Sequence, residues 1–375
     1  MNHQLAIIGQ NFVVSWFAVF SFIGCLAGFL TACILRKTQK RYVSDVFIVM
    51  TFAVPFGLLF GRVFYCLFAA SEYGSIRQMF RLSVGGYGLF GAMLGVFLAA
   101  VLAKKVYGVE GWGELLDCLA IGGALAITVG RFASYFAGVE LGYEVPFKVL
   151  TIYTPEENIH VLAVYMLDGI YEAAVLLVCL IFYITIRQKK DGKSREGVGG
   201  LTAMLMLALH GTNAVIMESM RSDALKFGAN DFIKVSQILG ITCCVAVAVA
   251  LIVMTIKNRG FRFGDVIMLL AFIGCIAVGV LAEWRVGKGD YIRKHLFMLA
   301  SMVILDIITV DYGNKAAKLQ KKKTAEESTE LTASPEPTGQ QSETGDAKNQ
   351  RRHRISKKEA YSMIDEFKDS AHSQV

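Results

Sequence analysis

Gly130-Arg131-Phe132-Ala133-Ser134-Tyr135-Phe136-Ala137-Gly138-Val139-Glu140-Leu141-Gly142 closes an apolar run that begins near Leu115, and it carries a full positive charge into that run. An arginine at membrane depth costs about 2.5–3.5 kcal/mol on insertion scales, so the chain has to supply a partner for the charge. Ala126, Gly130, Ala133 and Ala137 recur at helical spacing, which lets another helix or a ligand approach closely on that side. The stretch reads as the end of a membrane helix whose Arg131 holds an anionic group. The rest of the chain supplies its neighbours.

Hydrophobic residues make up 54% of the 375, and the mean hydropathy of +0.49 is too high for an ordinary soluble domain. Nine apolar segments fall at about 12–35, 44–69, 84–103, 115–137, 163–186, 198–218, 235–256, 264–282 and 296–311. Each can cross a hydrocarbon core of about 30 Å at about 1.5 Å per residue, the last only just. The pattern predicts an all-α, polytopic membrane bundle. Its expected parts are a core over 1–260 with seven crossings, two additional helices over 261–312, and a cytoplasmic tail over 313–375.

The net charge of +7 reports basic loops rather than nucleic-acid binding. Arg36, Lys37, Lys40, Arg41, Lys104, Lys105, Arg187, Lys189, Lys190, Lys193, Arg195, Lys257, Arg259 and Arg262 crowd the short loops on one side. The positive-inside rule makes that side cytoplasmic, with the N-terminus outside and the C-terminus inside. Met1 to Gln10 carry no lysine or arginine, so no cleavable signal is expected. The eight cysteines lie in or beside apolar runs, without Cys-x-x-Cys or Cys/His spacing. They read as small buried hydrophobes, and neither metal nor cofactor is expected. The tail from about Asn314 is rich in Lys, Glu, Ser, Thr and Gln and reads as largely disordered. Ser356-Lys357-Lys358-Glu359 resembles a capping box, so a short amphipathic helix is expected over 356–368.

Counted from the segment starts, Arg62, Arg131, Asp168, Glu172, His210 and Glu218 all fall in the outer half of the bilayer. A shared polar cavity open to the outside explains that agreement. Asp168 and Glu172 stand four apart on one helix face, and Glu218 and Arg221 three apart on another. His210, Asn213 and Met217 share a stripe. Two readings follow: internal salt bridges that lock the bundle, or arginines that hold an anionic headgroup while a carboxylate or His210 moves a proton.

Four blocks in order resemble the prolipoprotein diacylglyceryl transferases, over about 12–256. That family carries Gly-Arg-x-x-Asn-Phe-x-Asn-Gly-Glu-Leu at a helix end. Here Gly130, Arg131 and the aromatic match, Ser134 and Ala137 replace the asparagines, and Glu140 comes one residue late. Gly61-Arg62-Val63-Phe64-Tyr65 is similar to its Gly-x-Arg-x-Gly-Tyr block, and Gly169-Ile170-Tyr171-Glu172-Ala173 to its Gln-Leu-Tyr-Glu-Ala block. His210-Gly211 with Glu218-Ser219-Met220-Arg221-Ser222-Asp223 is similar to its Tyr-Gly…Glu-Phe-x-Arg-x-Pro-Asp stretch. Two departures stand out. Phe90 occupies the place of a histidine associated with proton transfer, and Ala214 that of an arginine.

The resemblance implies a multi-pass protein of the bacterial plasma membrane. It implies transfer of a diacylglyceryl group from phosphatidylglycerol to the lipobox cysteine of a prolipoprotein, with no nucleic acid involved. Arg131, Glu140, His210 and Glu172 are the expected catalytic residues, and Arg131, Arg62, Glu218 and Arg221 the expected headgroup ligands. Other readings are a membrane transferase with another acceptor, and a non-catalytic protein for anionic-lipid binding or assembly.

Overall fold

Among the described residues, nine helices are long and apolar enough to cross a bilayer, and the most polar of them is the most buried. The structure, a computed structural model, describes residues 4–8, 12–70, 73, 75–79, 85–154, 158–187, 199–226, 233–285 and 291–333. In chain order, β1 (Gln4–Ile8) and β2 (Phe12–Ser15) precede α1 (Trp16–Thr38) and α2 (Ser44–Phe68). A single turn, α3 (Ile76–Met79), leads to α4 (Leu89–Tyr107) and α5 (Trp112–Ala137). The pair β3 (Thr151–Thr154) and β4 (Ile159–Leu162) leads to α6 (Val164–Arg187) and α7 (Leu201–Met220). The chain continues through α8 (Val235–Arg259), α9 (Phe263–Arg285) and α10 (Tyr291–Ala333). Both strand pairs are antiparallel two-stranded sheets. The molecule is an all-α membrane bundle with small hairpins at one end.

Most boundaries differ from the sequence reading by a few residues, and two of the differences have a plain physical reason. The first crossing begins at Trp16, not at 12, because β-branched Val13 and Val14 join the strand pair and Ser15 caps the helix, its Oγ accepting from Ala18 N at 3.2 Å. The last helix does not stop at 311 but runs to Ala333. Its extension is rich in Ala, Lys and Glu, all strong helix formers, and Ala316 and Ala317 are buried in a cluster with Phe182 and Tyr183 of α6. Helix propensity, not hydrophobicity, accounts for the helix beyond 311. Two units divide the chain, Met1–Ala325 and Glu326–Val375. The first holds the site. In the second, the described residues through Ala333 are helical, and the expected helix over 356–368 lies outside the described residues.

The helices pack in close pairs, α1 on α5, α2 on α4 and α7 on α8. Glycines set the separations. A Cβ at Gly95 of α4 would stand 2.4 Å from Phe56 O of α2, and one at Gly211 of α7 would stand 2.6 Å from Gly240 O of α8. In lipid no hydrophobic force draws helices together, so such backbone contact is a principal source of attraction. In α7, 83% of the most apolar window is buried, against 39% or less in the other spanning helices. Its Thr202, His210, Thr212, Asn213, Glu218 and Ser219 are expensive in lipid, and the centre of the bundle is where they find partners.

At the end of the bundle away from the hairpins, Arg36 is fully buried. Its Nη2 meets Asp45 Oδ2 at 2.6 Å and donates to Glu110 O at 2.6 Å, which ties the end of α1 to the start of α2 and to the turn before α5. Asp117 of α5 accepts from Gly200 N and Ala203 N, each at 3.0 Å, and so satisfies amides at the start of α7.

Candidate active site

Gly138 ends α5 in the left-handed conformation, with φ of +66°, and its N–H donates to Ser134 O at 3.1 Å. Val139 then turns outward and is exposed. Glu140 takes a φ of +63°, a conformation costly for any residue but glycine, and turns its carboxylate back toward the helix it has just left. The glutamate that arrives one residue late thus reaches Arg131 because Val139 is looped out. Residues after α7 hold this turn. Asp223 Oδ2 accepts from Glu140 N at 3.0 Å, Ser222 N donates to Leu141 O at 3.0 Å, and Gly142 bridges to Arg221.

The result is a ring of charge across three helices. Arg131 Nη1 donates to Glu140 Oε1 in a very short contact, and its Nε stands 3.0 Å from Asp168 Oδ2 of α6. That second contact is an ion pair in distance but lies off the hydrogen-bond direction. Arg221 Nη1 approaches Glu218 Oε1 at 2.9 Å and Glu140 Oε1 at 3.6 Å, and its Nε approaches Asp223 Oδ1 at 3.0 Å. Glu140 therefore bridges the two guanidinium groups. Lys234 Nζ donates to Glu218 O at 2.6 Å and Arg221 O at 2.9 Å, closing the end of α7.

Outside the spanning segments, three groups respond to this setting. Burial works to lower the Arg221 guanidinium, but Glu218 and Glu140 outweigh it and hold the group above its usual range. Burial works to raise the Asp223 carboxyl, but the hydrogen bond and charge of Arg221 outweigh it and hold Asp223 below the ordinary carboxylate range. Burial pushes the Lys234 ammonium below its ordinary value, against the pull of Glu283 and Glu218.

Behind the ring is a second network. His210 Nδ1 lies 2.5 Å from Glu172 Oε1. Asn213 Nδ2 lies 2.6 Å from Glu172 Oε1 and 2.6 Å from Asp168 Oδ1. Both acceptors are carboxylates, so the amide NH2 faces them and uses its two protons. The carboxylate likewise takes the Nδ1 proton of the imidazole. In a neutral imidazole so oriented, Nε2 carries the lone pair, and Nε2 meets no hydrogen-bond partner among the described residues. The imidazole ring centre lies 5.3 Å from that of Phe90. The position at which the resemblance expects a histidine therefore adjoins His210 in space.

A cavity of about 520 Å³ opens between these elements. Arg131, Glu140, Asp168, His210, Glu218 and Arg221 line its polar wall, and Phe64, Phe68, Phe90, Met217 and Leu239 its apolar wall. Ala214 also lines it, on α7. Of the expected site residues, Glu172 sits one layer behind, fully buried against His210.

Arg62 does not join the group. Its Nε donates to Met79 O at 2.7 Å, Nη2 to Gln78 O at 3.3 Å, and Nη1 to Gly86 O at 2.9 Å and to Gly85 O. Arg62 spends its donors on the chain between α2 and α4. Asp168 and Asn213 carry the polar stripes noted above, but their shared contact joins α6 to α7 and left no signal in spacing. Asp223 entered only as part of a motif, because a tie across 83 positions leaves no local trace.

Comparison with known proteins agrees with this picture. The sequence model of the family described as prolipoprotein diacylglyceryl transferase matches residues 4–254. A phosphatidylglycerol–prolipoprotein diacylglyceryl transferase of Clostridioides difficile is 22% identical over 249 residues, which is 66% of this chain and 93% of that protein. One from Clostridium perfringens is 23% identical over 273 residues, 70% of this chain and 98% of that protein. A Listeria welshimeri protein of the same name is 26% identical over 216 residues, 56% of this chain and 73% of its own length. With two thirds of its length inside that match, the chain belongs to the prolipoprotein diacylglyceryl transferase family.

Proposed function

We propose that the chain transfers a diacylglyceryl group from phosphatidylglycerol to the cysteine thiol of a prolipoprotein, at the outer face of a bacterial plasma membrane. The observation that carries this reading is one cavity wall with two arginines bridged by Glu140 and an imidazole whose Nε2 has no hydrogen-bond partner among the described residues. In the reaction, the cysteine sulfur forms a bond to the terminal glycerol carbon of the diacylglyceryl unit. The bond from that carbon to the phosphate oxygen breaks, and glycerol phosphate leaves with one more negative charge. The thiol proton goes to His210 Nε2.

The geometry supports a role for each residue. Glu172 fixes the imidazole with its proton on Nδ1 and stabilises the imidazolium that forms, a carboxylate–imidazole–thiol order. Asn213 holds Glu172 in place. Arg131 and Arg221 meet the phosphate as its charge grows, in a site poor in water, where such contacts are strongest. Glu140 and Glu218 orient the two guanidinium groups. Phe64, Phe68 and Leu239 suit acyl chains. The end with the hairpins is the outer one in this reading, with the N-terminus outside and the C-terminus in the cytoplasm.

The test is expression in cells depleted of their own transferase, with a lipobox precursor followed by mass spectrometry. A diacylglyceryl mass on the precursor cysteine is expected. His210→Tyr should lower the rate by about 10²–10⁴, the usual range for a positioned acid or base. Adding Phe90→His to that variant should restore much of it, because the two rings adjoin. Wild-type rates in His210→Tyr alone would sink the proton role. A second reading, the same lipid chemistry with another acceptor, is favoured by Phe90 and Ala214, since both departures from the family pattern line the cavity. It predicts release of glycerol phosphate with the precursor left unmodified.

A further inference from the structure

The region matched by the family ends at residue 254, before α9 begins at Phe263. Helices α9 and α10 are therefore additional to the part of the chain that carries the family's likeness. Their polar groups are not spread at random. Tyr171 of α6 donates its hydroxyl to Asp306 Oδ2 of α10 at 2.5 Å, and Thr212 Oγ of α7 lies 2.8 Å from Asp306 Oδ1. Further along α7, Ser219 Oγ donates to Glu283 of α9 and lies 3.2 Å from His295 Nε2 of α10, while Lys294 Nζ holds Glu283 at 2.9 Å.

Each contact falls next in sequence to a group of the site. Tyr171 precedes Glu172, Thr212 precedes Asn213, and Ser219 follows Glu218. Thr212 and Ser219 are seven apart and so share one stripe of α7. His210, Ala214 and Met217 form the stripe that lines the cavity. The added helices thus hold α7 by its rear, and with it the rotation of the helix about its axis. At about 100° per residue the two stripes lie about 180° apart on α7, so any rotation of the helix carries the cavity stripe away from the cavity.

Asp306 is the informative member. It is a carboxyl within a spanning helix, and it makes no ion pair among the described residues. Two hydroxyls are its partners, and such a group is costly in lipid unless it is used. We infer that α9 and α10 form a positioning element for the site, and that Asp306 sets the register of Glu172 and Asn213 against the cavity. The inference rests on the proposed site only for naming which faces of α6 and α7 matter.

The hydrogen-bond count supplies the control. Thr212 Oγ has one proton, and it lies 2.7 Å from Leu209 O, which can only accept. An asparagine at 306 can therefore accept from Tyr171 through Oδ1 and donate to Thr212 Oγ through Nδ2, leaving the threonine proton to Leu209. A leucine keeps the branched shape, is somewhat larger, and loses both bonds.

The experiment uses the purified full chain with Asp306→Leu and Asp306→Asn. Glycerol phosphate release from phosphatidylglycerol is measured with a lipobox peptide, together with amide hydrogen exchange by mass spectrometry. In Asp306→Leu, kcat per folded molecule should fall about tenfold or more, the scale of a small misplacement of reacting groups, with the lipid KM nearly unchanged. Its exchange should rise in α6 and α7 and not in α1. Asp306→Asn should track the wild type in both measurements. The inference is overturned if Asp306→Leu exchanges like the wild type, or if exchange rises throughout the bundle, which would mark a residue that only holds the fold. If the wild type itself releases no glycerol phosphate, the proposed reaction fails, and the pattern of exchange alone decides for or against the positioning element.

Discussion

Arg62 and Arg131 sit in similar local sequence, each after a glycine in an apolar helix, and each is surrounded by aromatic residues. Their surroundings in space have nothing in common. Arg62 is buried with its donors on the backbone carbonyls of Gln78, Met79, Gly85 and Gly86, and the rings of Tyr73 and Tyr87 lie 5.2 and 5.8 Å from its guanidinium carbon. Arg131 faces Glu140 and Asp168 on the wall of a cavity. Carbonyls satisfy hydrogen bonds without cancelling the charge, and they belong to chain that the arginine itself holds in shape. Carboxylates cancel the charge, and they can share the guanidinium with a ligand when one arrives. A buried arginine in a membrane protein is thus a fold residue or a site residue according to the kind of acceptor that surrounds it.

The same substitution at both positions tests that contrast most sharply. Arg131→Lys keeps the charge but not the planar fork, so turnover should fall by about 10²–10³, comparable to losing one donor to a developing oxyanion. The melting temperature should stay close to that of the wild type, because an ammonium still answers Asp168. Turnover within a fewfold of wild type would break the comparison at its functional end. Arg62→Lys should do the reverse. An ammonium has three protons for four carbonyls, and each buried group left without a partner costs about 1–3 kcal/mol. The melting temperature should drop, while turnover per folded molecule changes by less than about threefold, far below the loss expected for a transition-state donor.

The smallest effect concerns the tie that brings Glu140 to Arg131. Asp223 accepts from Glu140 N and is held below the ordinary carboxylate range. Such a group adds stability above its unfolded value, about 3.9, and loses it as the pH falls through the lower folded value. Thermal stability should be unaffected by this group from pH 7 to 5 and should decline below about 4. Because Asp223 is half exposed, the decline should be slight, and it should shrink in Asp223→Asn. A rise in stability on acidification through that window would show that the tie does not hold the turn.

The membrane crossings were legible in the chain because hydrophobic length is a local property. Arg131, Asp168, Glu172, His210 and Glu218 were legible as members of one polar group because helix rise converts position into depth. Depth says nothing about azimuth, however. Arg62 has about the same depth as Arg131, yet its donors go to the chain between α2 and α4. The full length of α10 is not legible in hydropathy for a related reason. Helix propensity and a pair of buried alanines act where the hydropathy signal has already faded.

The amino-acid sequence by itself determined the class of the protein, the nine apolar helices found among the described residues, the family to which its motifs belong, and the titratable groups available to a site. Those follow from composition, period and spacing within single segments. The tertiary structure decided which acceptor each arginine met, that His210 and Phe90 adjoin, and that Glu140 is turned back by its left-handed backbone. It also decided that Asp306 reaches Tyr171, a partner 135 positions away. These contacts join segments far apart in the chain. In a membrane such contacts are chosen by backbone approach and polar satisfaction between helices, which no single segment encodes.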